Sequence, residues 1–129
     1  MQKKIKNLFN TEEWIILNLK NAGYQVKTYL TQLDTITAKY HLGELNDKAA
    51  WFKQIFEYYK EDLIPAIQET AEMEKRHIEI FERNPDVDFD PQVEVDNHQQ
   101  LTRQFLTRFE QLHKSFYDFT ISAKKCTKK

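Results

Sequence analysis

Apolar residues recur every three or four positions over three long stretches of this chain, and two polar breaks separate them. In the middle stretch Phe52, Phe56, Tyr59, Leu63, Ile67, Ala71, Ile78 and Phe81 fall on one face of a helix. Asn46-Asp47 offers N-cap residue types after the turn residue Gly43. Asn84-Pro85 marks the end, because proline disfavours helical backbone at the residue before it. These signals predict a helix over 47–83. Pro65 lies inside it and removes the bond to the carbonyl of residue 61, so a kink near 61–65 or a break into two helices is expected. Unbroken, the helix would be roughly 55 Å long, which favours a rod.

The first stretch predicts a helix over 10–42, with Asn10 and Glu13 spaced as a capping box. Its stripe is Ile15, Leu19, Ala22, Val26, Tyr29, Leu30, Leu33, Ile36 and Tyr40. Gly23 sits beside the stripe, where a close helix crossing would use it. The third stretch predicts a helix over 97–125, with Asp96 and Gln99 at capping-box spacing. Its stripe is His98, Leu101, Phe105, Phe109, Leu112, Phe116, Phe119 and Ala123. The short 42–46 connection makes the first two helices antiparallel neighbours. The expected fold is therefore an all-α, antiparallel, up-down-up bundle of three long helices, or four if the second breaks at Pro65. It forms a single domain over 1–129, with a basic lead-in at 1–9, an acidic loop at 84–96 and a basic tail at 124–129.

Composition supports helices with few turns: only two glycines and three prolines occur. Net charge is −1, so nothing global points to nucleic acid or a membrane surface. The charge is uneven, at −5 over 84–97 and +5 over 98–129. The basic tail is expected to project from the end of the bundle opposite the acidic loop. The lone Cys126 forms no intramolecular disulfide, which fits a reducing compartment. Neither a secretory leader nor an apolar span is found, and a cytoplasmic location without membrane insertion is the expectation.

Glu74 and His77 stand on the apolar face of the second helix, where a charged group is costly unless paired. With His98 and Thr102 they converge at one end of the core, and Glu74, His77 and His98 are the candidate metal ligands; Thr70 lies one turn before Glu74 on the same face. Imidazole and carboxylate bind zinc, but firm structural sites usually hold four good ligands, often with Cys. A hydrogen-bonded polar network is the competing reading. The triplet Asp86-Asp88-Asp90 is not an EF-hand: Pro91 replaces the required glycine and Asn97 the twelfth-position Glu.

Two Glu-x-x-His pairs, Glu74/His77 and Glu110/His113, resemble the di-metal motifs of ferritin-like bundles. Their offset along antiparallel helices is about 15 Å, too far for one site. The run Glu57…Glu61-Asp62-Leu63-Ile64-Pro65 resembles the acidic-apolar-proline segment on the second helix of hemerythrin-like bundles. That resemblance would make His77 and His113 ligands. Glu57 and Tyr58 stand where a histidine is expected, and the first helix has no His pair, so the site it implies is degenerate. Arg108 and His113 have the Arg-x4-His spacing of HEPN-type helical ribonucleases, but they point about 140° apart around the helix.

Trp14, Leu17, Tyr24, Leu106, Tyr117 and Ile121 lie off the stripes and are candidate partner-binding residues. Lys124, Lys125, Lys128 and Lys129 are candidates for nucleic-acid contact. No Gly-rich phosphate loop, Cys-His cluster or Ser-His-Asp arrangement occurs, so enzymatic activity is disfavoured and no cofactor is expected. The expected function is a noncatalytic helical interaction module, an adaptor or small structural subunit that binds a protein partner or itself. A metal-binding bundle and a nucleic-acid accessory subunit are the alternatives.

Overall fold

The computed structural model describes the backbone of residues 2–129 and the side chains from Ile5 onward. It contains α1 (Gln2–Lys39), a single 3-10 turn (Gly43–Leu45), α2 (Asn46–Arg83) and α3 (Gln92–Lys124). The fold is all-α. Tyr29 packs on Phe56 while Glu12 reaches His77, so residue numbers fall along α2 as they rise along α1. Phe52 meets Phe119 and Tyr59 meets Phe105, so α3 runs against α2 in the same sense. Among the described residues no helix is long and apolar enough to cross a membrane.

The buried positions of each helix alternate steps of three and four. Along α1 they are Leu8, Glu12, Ile15, Leu19, Ala22, Val26, Tyr29, Leu33 and Ile36, and Tyr40 just past its end keeps the register. In α2, Ala49, Phe52, Phe56, Leu63, Thr70, Met73 and His77 are buried, with half-buried Tyr59 and Ala66 filling the gaps in the same register. In α3, Val95, Thr102, Phe109, Leu112, Phe116, Phe119 and Ala123 continue it. This is a heptad seam, with side chains of three helices meeting in layers.

The seam corrects several expectations. A 3.6-residue period drifts about 20° per heptad from a 3.5-residue one. Over the second half of α2 that drift selected Ala71 and Ile78, but Ala71 is exposed and Ile78 half-buried; Thr70, Met73 and His77 are buried in their place. Leu101 is likewise exposed, and Thr102 takes the core position.

Helix ends differ too. α1 starts at Gln2, so Asn10 and Glu13 are interior residues, and the seam reaches back to Leu8. Of the expected lead-in, Met1 and the side chains of Gln2, Lys3 and Lys4 lie outside the described residues. α3 starts at Gln92, where Asp90 Oδ1 accepts the Gln92 N–H at 3.0 Å and Pro91 occupies the cap. Burial of Val95 and Pro91 draws that turn into the bundle. α2 passes through Pro65 without ending. Pro65 is exposed, so the groups it leaves unpaired face water, which replaces the lost bond.

The tail does not project. His41 N–H donates to the Thr127 carbonyl at 2.8 Å, and Lys129 N–H donates to the Lys39 carbonyl at 2.8 Å. The Lys129 ammonium donates to the Thr37 carbonyl at 3.0 Å. The carbonyls at a helix C-terminus lack intrahelical donors, and here the returning strand-like tail supplies them. Gly43, at φ 55°, turns the chain between α1 and α2 in the left-handed region that glycine enters without strain.

Gly23 permits no close crossing. A Cβ added there would meet nothing within 4 Å.

Candidate functional site

The polar break in the core lies where the start of α1, the end of α2 and the start of α3 meet. Glu12 and His77 are both 0% exposed. His77 Nδ1 lies 3.4 Å from Glu12 Oε1 and 3.2 Å from Oε2, with the first at hydrogen-bonding geometry. On the other side of the ring, His77 Nε2 stands 3.8 Å from Glu94 Oε2, which is ion-pair range but not a hydrogen bond. Glu94 is held by Arg76. The Phe89 ring lies 5.9 Å from the imidazole and closes the site from the α2–α3 connection.

Burial disfavours charge on both partners. It pushes the Glu12 carboxyl up to about 7, and neighbouring Glu94 adds to the shift while Arg76 opposes it. It lowers the His77 pKa, with Glu94 working in the opposite sense. Both shifts favour an uncharged pair, with the proton on the Glu12 carboxyl and the imidazole neutral. Glu74 forms a second carboxyl site beside this one: burial first, and then the neighbouring Glu13 carboxyl, push it up to about 7.

The arrangement can hold protons in a closed core. It is poorly built for a metal. The carboxylates of Glu12 and Glu94 flank opposite nitrogens of one ring, so one ion cannot take both. Among the described residues no three His, Cys, Asp or Glu side chains are disposed to hold a metal ion. Of the expected ligands, Glu74 turns to Glu13, His77 to Glu12 and Glu94, and half-buried His98 is not drawn into a set with them. His113 is exposed and hydrogen-bonds the Tyr29 hydroxyl, while Glu110 pairs with Lys114 at 3.9 Å. The Glu-x-x-His pairs therefore do not converge.

Glu12, Glu13, Arg76 and Glu94 were missed by sequence reasoning. A signal for Glu12 existed: stepping back from Ile15 by three gives Glu12, and by four more gives Leu8. Reading Asn10 as the helix start hid it.

The expected partner-binding residues divide. Trp14 is half-buried, with the Arg103 guanidinium 5.7 Å over its ring, and Leu106 is half-buried as well. Leu17, Tyr24, Tyr117 and Ile121 are exposed. Trp51, Tyr58 and Ile64 on α2 join them and were not anticipated. Lys124 lines a trough between α1 and α3, and Lys128 and Lys129 belong to the returning tail. Lys125 is exposed at the end of α3.

Two troughs flank α1. The one toward α3, about 430 Å³, mixes apolar and aromatic side chains, Tyr29, Ile36, Phe116 and Tyr117, with Thr31, Gln32, Thr35 and Thr120. The one toward α2, about 360 Å³, has Leu63, Ile64 and Ile67 along its α2 wall and Gly23 and Tyr24 along its α1 wall.

No family model, curated protein or solved structure matches this chain.

Proposed function

We propose that this chain is a noncatalytic helical-bundle interaction module, an adaptor or small structural subunit whose outer helix faces meet a protein partner. The observation that carries the reading is the α1–α2 face. There Tyr24 is 71% exposed and Ile64 55% exposed on either side of an apolar trough, with Leu17 exposed two turns before Tyr24. Large apolar side chains lose favourable burial when left in water, and contiguous ones mark contact surfaces. The buried polar site supports a structural role beside this. Its central pair, Glu12 and His77, is fully buried between the helices.

The test immobilises wild-type chain and a Leu17→Ser/Tyr24→Ser variant and compares what each retains from a cell extract. The reading expects a partner, or further copies of the chain, retained by wild type and lost by the variant. Equal retention on both, with both chains folded by circular dichroism, would overturn it.

A further inference from the structure

Three lysines, Lys20 and Lys27 from α1 and Lys60 from α2, rim the α1–α2 trough, and no carboxylate lines it. The chain as a whole carries −1, so this is a local concentration of positive charge. Helix pairs in stable bundles usually set opposite charges along such an edge. Here Lys27 and Lys60 face the same trough from opposite helices, and none of the three lysines is ion-paired among the described residues. Between the ammoniums the lining is apolar, and the absent side chain of Gly23 leaves open space at its α1 wall. An amphipathic helix docks by laying apolar side chains spaced three and four apart into such a groove. Carboxylates flanking its apolar face would meet the lysine rims and relieve their mutual repulsion.

We infer that the α1–α2 trough is the docking site for an acidic amphipathic helix of a partner protein. This rests on the reading of the chain as an interaction module and specifies the partner's chemistry. Lys20, Lys27 and Lys60 select the charge; Leu63, Ile64, Ile67 and Tyr24 receive the apolar anchors. The trough toward α3 is lined by one lysine, Lys124, so it lacks the basic rims on both helices that would select an acidic partner.

The probe is a fluorescent synthetic peptide of about 18 residues, helical, with leucines at i, i+3, i+4 and i+7 and glutamates flanking them. A control peptide carries lysine for glutamate. Fluorescence anisotropy should show the acidic peptide binding, more weakly as salt rises, and the basic peptide not binding. Lys27→Glu with Lys60→Glu should weaken binding roughly tenfold or more. Gly23→Leu should block the trough while leaving the fold intact, because its Cβ has room. An acidic peptide that fails to bind, or binds Gly23→Leu and wild type equally, overturns the inference. A wild-type dimer that Gly23→Leu abolishes, with no peptide binding, also overturns it, by naming a second copy as the occupant. If the peptide fails while the Leu17/Tyr24-dependent retention persists, the acidic-helix inference falls and the interaction-module reading stands. If both fail, both fall.

Discussion

The two halves of the bundle share one heptad seam but fill it with different chemistry. Toward the 3-10 turn, Phe52, Phe56, Phe116 and Phe119 pack against one another and Tyr29 packs on Phe56 and Phe116, with ring centroids 5.0–6.0 Å apart. Toward the α2–α3 connection, the same geometric positions hold Glu12, Thr70, His77 and Thr102. Helical spacing thus settles which positions are buried, and side-chain chemistry settles what burial is worth. In the aromatic half every buried group gains by leaving water. In the polar half, burial is tolerated because Thr70 and Thr102 donate to carbonyls of their own helix, at 2.9 and 2.8 Å, and because Glu12 and His77 can share a proton.

The sharpest way to break this comparison is to empty the aromatic half. Phe116→Ala or Phe52→Ala should cost about 3–5 kcal/mol, measured by urea unfolding, through lost burial and a residual cavity. Losses near 1 kcal/mol would mean the aromatic half does not anchor the bundle.

The polar half should answer to pH. The Glu12 carboxyl rises from 4.5 to about 7 on folding. The unfolded chain gives up this proton first, so the group's contribution falls as pH climbs from about 4.5 through 7. His77, depressed on folding, contributes stability above its ordinary value of 6.5 and loses it as pH falls through its lower folded value. Comparison with Glu12→Gln separates the two. The variant should gain on wild type with rising pH, reaching on the order of 2–3 kcal/mol at pH 8, with little difference near pH 4. A constant difference across that range would show that Glu12 keeps an ordinary pKa.

Two smaller effects sharpen the boundary between the halves and the surface. Removing residues 126–129 should cost about 1–2 kcal/mol, because the backbone bonds to His41 and Lys39 and the Lys129 ammonium bond to Thr37 are lost at the aromatic end. Hydrogen exchange of the last turn of α1 should rise at the same time. Gly23→Ala should stabilise by about 0.5–1 kcal/mol, since the new methyl meets open space and alanine has less backbone entropy to lose. A destabilised variant would mean that the helices close on this site in solution.

Much of the fold is legible in the residues themselves. The three helices and two connections follow from apolar spacing, Gly43 and Asn84-Pro85. The α1 stripe from Ile15 to Tyr40 matches the seam apart from half-buried Leu30, because its residues are apolar enough to show a period of three and four directly. The polar half was harder to read. Thr70 and Thr102 show themselves only as neighbours of Glu74 and His77, and Glu12 carries no apolar signal, so a stripe drawn through hydrophobic residues runs onto Ala71 and Leu101 instead. Pro65 looked like a breaker because sequence does not say which way it faces; on the water side it costs one bond and no packing. The returning tail depends on a contact between residues some 90 apart, which no local pattern encodes. Of the candidate site, His77 and Glu74 were legible as exceptions on an apolar face, but their partners Glu12 and Glu13 lie on another helix, and register alone locates them.

The most direct test of a proton-bearing polar half is the side-chain carboxyl resonance of Glu12, followed by carbon-13 NMR against pH and assigned by its absence in Glu12→Gln. The account predicts a titration midpoint raised from 4.5 to about 7, with the His77 ring responding over the same range. A midpoint near the ordinary 4.5 would place a charged carboxylate in the core throughout the neutral range and contradict the account.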